Sequence, residues 1–143
     1  MAINTSKKLM LRVITPSKVA FEGEVDMAVL STVDGEIGVL VGHEPLATIL
    51  GLGTLRYYND EIKEYYTVFG GFAEINQEGV TVLADIAEHP SEIDAQRAKL
   101  AKERAERRLS ERNAGLDEKR AKTSIRKALV RLEISSQYTT TKK

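Results

Sequence analysis

The feature that most constrains this chain is where its helix breakers stop. Nine of its ten glycines and all three prolines lie before residue 91, and after Pro90 only Gly115 interrupts the sequence. Inside a helix, glycine costs ~1 kcal/mol and proline ~3 kcal/mol relative to alanine, whereas both punctuate strands and turns. The first part can therefore be a run of short strands, and the second can be long helix. Charge changes at the same place. Residues 1–90 carry 6 Lys/Arg against 13 Asp/Glu, a net of −7, while residues 91–143 carry 15 against 8, a net of +7. Two domains are expected, 1–90 and 91–143, with the boundary at Pro90, which disfavours helix at His89.

In the first domain, Leu9–Thr15 alternates as a strand does, and Pro16-Ser17 turns it. Val19–Glu24 and Val25–Val33 read as two more strands, with Asp34-Gly35 as a tight turn into Glu36–Val41. Gly42-His43-Glu44-Pro45 reads as a loop, Leu46–Leu50 as a strand, and Gly51 and Gly53 as the brackets of a turn. Thr54–Tyr58 with Ile62–Phe69, and Phe72–Asn76 with Val80–Ala84, read as two hairpins. Eight to ten short strands in this span argue for an antiparallel β-sandwich or flattened barrel.

The second domain reads as two helices. Ser91 is in the N-cap position, with Asp94 three residues on in the capping-box place. The first helix should end near Asn113, with Gly115 in the left-handed position, and Asp117 should cap the second. The short connection makes an antiparallel hairpin. Ala98, Ala101, Ala105 and Leu109 form a narrow stripe on the first helix. Ala121, Ile125, Ala128, Leu129 and Leu132 form the apolar face of the second. Each alanine methyl buried contributes only ~0.8 kcal/mol, so the hairpin is expected to be weakly held and able to move. Tyr138–Lys143 is expected to be a frayed tail.

The residues exclude much chemistry. There is no Cys, hence no disulfide and no thiolate catalysis. The two histidines, His43 and His89, make no triad, and no GxxxxGK[ST] or GxGxxG motif occurs. No apolar run approaches the ~20 residues of a membrane span, and the N-terminus lacks the apolar core of a secretory signal. The basic hairpin has almost no aromatics to stack on bases, which argues against nucleic-acid binding. Arg97, Arg104 and Arg108 fall within half a turn of one another beside the alanine stripe. Such a row is either a solvated face or a site for an anion such as a nucleotide phosphate.

Gly35–Leu50 (GEIGVLVGHEPLATIL), Phe69–Asp85 (FGGFAEINQEGVTVLAD) and Ile93–Ala98 (IDAQRA) with the following KERAERRL carry a further signal. In all three stretches, in order from about Leu9 to Leu132, the chain closely resembles the epsilon subunits of bacterial F-type ATP synthases. One departure is Val41, where the family commonly has proline before Gly-His.

The resemblance implies a ten-stranded sandwich followed by an α-helical hairpin, with no catalytic residues of its own. It implies a place on the central stalk, where the sandwich bears on the gamma subunit and the c-subunit ring. It also implies that the extended hairpin reaches the alpha and beta subunits and restrains ATP hydrolysis. The chain would then serve ATP synthesis coupled to proton transport, at the cytoplasmic face of the bacterial plasma membrane, held there only through the complex. Some members bind ATP on the folded-down hairpin through an I/L-D-x-x-R-A motif, complete here as Ile93, Asp94, Arg97 and Ala98. By position, Glu88, Arg104 and Arg131 match other residues of that site, and Lys127 stands where compared members have arginine. ATP, with or without Mg, is thus the expected regulatory ligand. A free-standing nucleotide-sensing module and a nucleic-acid binder are the alternatives.

Overall fold

The structure is a computed structural model that describes residues 7–111, 115 and 117–141, without the side chains of 139–141. The chain divides into two compact units, one ending at His89 and the other beginning at Pro90. The first unit contains nine strands among its described residues: β1 (Leu9–Ile14), β2 (Val19–Val25), β3 (Met27–Thr32), β4 (Gly35–Val39), β5 (Leu46–Asn59), β6 (Ile62–Phe69), β7 (Phe72–Ile75), β8 (Gly79–Leu83) and β9 (Ile86–Glu88).

These strands make two sheets that share β5. One runs β2-β1-β8-β7-β5, the other β4-β3-β5-β6-β9. Every pairing is antiparallel except β1 with β8. Alternation decides which side chains enter the core. Leu9, Leu11 and Val13 of β1 face inward with Val80 and Val82 of β8, Ala73 and Ile75 of β7, and Leu30, Leu55 and Val68 of the second sheet. Stacking of Phe21 on Tyr57, ring centroids 4.5 Å apart, links β2 to β5 across the sandwich.

The sequence reading ended a strand at Leu50 and put a turn at Gly51 and Gly53. Instead β5 runs through both glycines for 14 residues. Its first part pairs with β7 and its later part with β6. Neither glycine turns the chain. Gly53 serves close approach, since a Cβ there would sit 2.6 Å from Ser31 Cβ, whereas a Cβ at Gly51 would make only ordinary contact with the Thr32 carbonyl at 3.6 Å. The tight turns lie elsewhere. Val33 and Asp34 join β3 to β4, and Gly71, at φ +95°, lies where a Cβ would meet the Leu83 carbonyl.

At one end of the sandwich, the nearly buried Asp26 carboxylate accepts from the Lys8 ammonium and, at 2.6 Å, from the Asp60 N–H. The Lys8 bond, then the Asp60 bond, hold that carboxyl below the usual range. In turn the Asp26 bond raises Lys8.

The second unit opens with a single 3₁₀ turn, Pro90–Glu92, then α1 (Ala95–Glu111) and α2 (Glu118–Thr141). Four alanines are buried on the two helices: Ala98 and Ala105 on α1, Ala121 and Ala128 on α2. The pairs are spaced i, i+7, so each helix keeps one narrow stripe of methyls. The expected Ile/Leu face of α2 is thereby corrected. Leu129 is 43% exposed, and Ile125 and Leu132 are only half-buried. Val130 and Ile134, buried on another side of α2, are its large apolar residues removed from solvent. No proline or glycine follows Gly115, and the helix of α2 runs on to Thr141; of the tail expected at Tyr138–Lys143, Lys142 and Lys143 lie outside the described residues. Asn113, where α1 was expected to end, lies outside the described residues; Gly115 has φ +88° as a left-handed position requires.

Candidate functional site

The motif Ile93–Ala98 forms the start of α1. Ile93 lies between the 3₁₀ turn and the helix, half-buried, its N–H bonded to the Pro90 carbonyl at 3.1 Å. Asp94 is the N-cap. Its Oδ1 accepts the Arg97 N–H at 3.0 Å, and its carbonyl accepts the Ala98 N–H at 3.0 Å. This corrects the reading of Ser91 as the cap, since Ser91 is spent inside the 3₁₀ turn. Asp117 caps α2 in the same way, with Oδ1 accepting the Arg120 N–H at 3.0 Å.

The cap leaves Asp94 with its second carboxylate oxygen for a ligand. Arg97 and Arg104 are exposed on α1, and Ala98 is buried in the seam. Lys127 and Arg131 are half-buried on α2. On α1, Arg97, Arg104 and Arg108 lie about 100° to one side of the alanine stripe, and on α2 Arg120, Lys127 and Arg131 lie about 100° to the same-handed side of theirs. When two antiparallel helices face each other along such stripes, equal rotations from the seam bring both rows to one side of the pair. The second unit thus gathers Asp94, Arg97, Arg104, Lys127 and Arg131 on one two-helix element. The remaining residue expected at this site, Glu88, belongs to the first unit. It ends β9, where its Oε1 accepts from Thr67 Oγ1 at 3.0 Å and its N–H donates back to the same oxygen.

His89 closes the first unit, with Nε2 3.1 Å from Glu64 Oε2 and its ring edge-on to Tyr66 at 5.3 Å. Among the described residues no three His, Asp or Glu side chains are placed to hold a metal ion, and no helix is long and apolar enough to cross a membrane.

The sequence reading missed one surface on the first unit. Val19, Ile14, Leu83, Phe72 and Ile49 are register partners in turn across β2, β1, β8, β7 and β5. They lie on the face opposite the core, four of them 37–63% exposed and Ile14 half-buried. At about 4.8 Å between strands, the row is about 19 Å long. The row below it is polar: Glu74, Thr81, Arg12 and Glu22.

A strand sandwich followed by a helical hairpin with a small-residue seam and flanking cations defines the class, a protein of two parts. Residues 8–90 match the family ATP synthase, Delta/Epsilon chain, beta-sandwich domain, and residues 91–136 match ATP synthase, Delta/Epsilon chain, long alpha-helix domain. The ATP synthase epsilon chain of Halalkalibacterium halodurans is 42% identical over 130 residues, covering 90% of this chain and 98% of that one. That of Syntrophomonas wolfei is 40% identical over 129 residues, covering 90% and 94%. A chain in the Euglena gracilis mitochondrial ATP synthase structure shares the fold at a TM-score of 0.67 with 23% identity, over 95% of this chain and 82% of that one. The chain belongs to the ATP synthase delta/epsilon family as an epsilon chain, a non-catalytic subunit of ATP synthase.

Proposed function

We propose that this chain is a central-stalk subunit whose helical hairpin is a movable brake on ATP hydrolysis, set by ATP itself. The observation that carries this reading is the hairpin: the buried positions that the two helices share at seven-residue spacing are alanines, and a row of cations flanks them on each helix. Four buried methyls contribute only about 3 kcal/mol at ~0.8 kcal/mol each, so the seam itself is weak, and Val130 and Ile134, buried on another side of α2, are its larger apolar anchors. ATP would hold the packed form, because Arg97 and Arg104 come from α1 and Lys127 and Arg131 from α2. A ligand shifts such a balance only by its differential affinity, and separation of the helices splits this set of charges.

The remaining partners follow from the sandwich. Its exposed apolar row is a ready contact for the gamma subunit, and the Euglena structure that shares this fold comes from an assembly that holds a c-ring. The extended hairpin would meet the alpha and beta subunits. The chain would work at the cytoplasmic face of the membrane, peripherally, in proton-coupled ATP synthesis.

Calorimetric titration of the full chain with ATP tests the ligand. Arg97→Ala should weaken binding about tenfold to a hundredfold, the worth of a charge-assisted hydrogen bond. Full affinity in that variant would return the arginine row to a solvated face. Removal of residues 91–143 from the assembled complex tests the brake, with faster ATP hydrolysis expected.

A further inference from the structure

Of the six aspartates and four asparagines in the chain, only Asp34 is followed by glycine. Asp34 lies in the turn between β3 and β4, where it and Gly35 are exposed. Among the described residues no ion pair or hydrogen bond engages its carboxylate. Most other aspartates are occupied: Asp26 and Asp60 face Lys8, and Asp94 and Asp117 cap the helices. Asp85 is followed by the branched Ile86. Gly35 has φ +120°, and a Cβ built there would meet nothing within 4 Å. A single side chain clamps this turn. Thr32 Oγ1 accepts the Asp34 N–H at 3.1 Å and donates to the Gly35 carbonyl at 2.7 Å.

We propose that Asp34 is a site of spontaneous isoaspartate formation, with Thr32 as the gate that sets its rate. The chemistry needs only water. In the carboxylic acid form of the Asp34 side chain, the Gly35 nitrogen attacks Cγ. The N–Cγ bond forms, the Cγ–OH bond breaks, and the hydroxyl leaves as water with the proton of the Gly35 N–H. The product is a cyclic imide. Water then adds to the former main-chain carbonyl of Asp34 and cleaves its bond to nitrogen. The chain now runs through Cγ, and the old main-chain carbonyl becomes a free carboxylate. A water is lost and a water regained, and nothing is oxidised or reduced. A Cβ on the following residue crowds this approach, and glycine has none. Thr32 and Gly35 are register partners at the very end of the β3–β4 ladder, so that pair opens without disturbing the core. The Thr32 bonds oppose the opening, because they tie both reacting residues to one side chain. The product adds a main-chain atom to the turn. Among the described residues β4 is an edge strand paired only with β3, so its register absorbs the change. The mark falls beside the exposed apolar row, since the Val33 N–H donates to the Ile49 carbonyl at 3.1 Å.

The test is prolonged incubation of the full chain at neutral pH, with isoaspartate labelled by a protein isoaspartyl methyltransferase and located by peptide mapping. Label should accumulate at Asp34. Asp60, exposed but followed by Glu61, is the internal control and should stay at background. Asp34→Glu should abolish the label at this position, because the longer side chain has to close a larger and less favourable ring. Thr32→Val removes both clamp bonds and should speed accumulation about fivefold, the worth of one net hydrogen bond. Thr32→Ser keeps the hydroxyl and should age at the parental rate. If Asp34 gains no more label than Asp60, the turn is not a modification site. If Thr32→Val, shown to be folded by circular dichroism, ages no faster than the parent, Thr32 is no gate and the proposal falls.

Discussion

Asp94 is the residue at which structure and ligand binding meet, and substitution there has to be done twice to be read. Asp94→Ala removes the acceptor of the Arg97 N–H. Loss of such an N-cap costs about 1 kcal/mol. The alanine seam contributes about 3 kcal/mol in all, so the cap is a sizeable share of what keeps the first turn of α1 in place. A change of 1 kcal/mol multiplies the opened fraction about fivefold. Amide hydrogen exchange at Arg97 and Ala98 should therefore accelerate about fivefold. Asparagine caps as well as aspartate does, so Asp94→Asn should leave those amides within about twofold of the parent. The same pair separates the cap from the ligand contact. If the free carboxylate oxygen accepts a hydrogen bond from ATP, Asp94→Asn weakens ATP binding about tenfold with the helix intact. If Asp94→Ala exchanges at the parental rate, the cap is not what holds this turn, and the argument from the seam fails with it. If Asp94→Asn exchanges as fast as Asp94→Ala, charge and not capping geometry does the holding.

Three further outcomes follow from the fold. A chain ending at His89 should give the circular dichroism of a folded β-sandwich and unfold cooperatively, because the core residues of the first unit all precede that point. Lys8→Met should lower the melting temperature at pH 7. The depressed Asp26 carboxyl contributes stability above the ordinary carboxylate range near pH 4 and loses it as pH falls through its lowered native value, while the raised Lys8 contributes below its usual 10.5 and loses it above. The gap between variant and parent should accordingly narrow both towards pH 2 and above pH 11 in thermal melts. Gly71→Ala combines a left-handed backbone with a Cβ placed against the Leu83 carbonyl. It should cost about 1–3 kcal/mol or more and lower the melting temperature by several degrees.

The sequence carried the architecture because its punctuation was unambiguous. The loss of glycine and proline after Pro90, and the Asp117 cap, are local signals, and local signals survive folding. The misread features share a different cause. Whether Gly53 turns the chain or lets it pass depends on Ser31, 22 residues away on a neighbouring strand. The apolar row from Val19 to Ile49 exists only through the register of five strands, so no window of sequence displays it. Ser91 and Asp94 both suited a cap, and the choice fell to whether Pro90 opened a 3₁₀ turn first. On α2, a 3.6-residue reading pointed to Leu129 and Leu132, but close packing of small residues chose the seven-residue spacing of Ala121 and Ala128. The motif Ile93–Ala98 was legible as residues; that its aspartate also terminates the helix was not.

The shared strand has a mechanical consequence. In most two-sheet domains the layers are joined by loops and by side-chain packing, and a shearing load is borne by van der Waals contacts that can slip. Here β5 passes from one sheet into the other without interruption for 14 residues. A push on Ile49, at the exposed row, reaches Arg56 and Tyr57 through seven or eight consecutive peptide links flanked by hydrogen-bonded neighbours. For the sheets to slide past one another along this line, covalent geometry itself would have to stretch. The first unit thus has the stiffness of a coupling with no play in it, in contrast to the compliant alanine seam of the second.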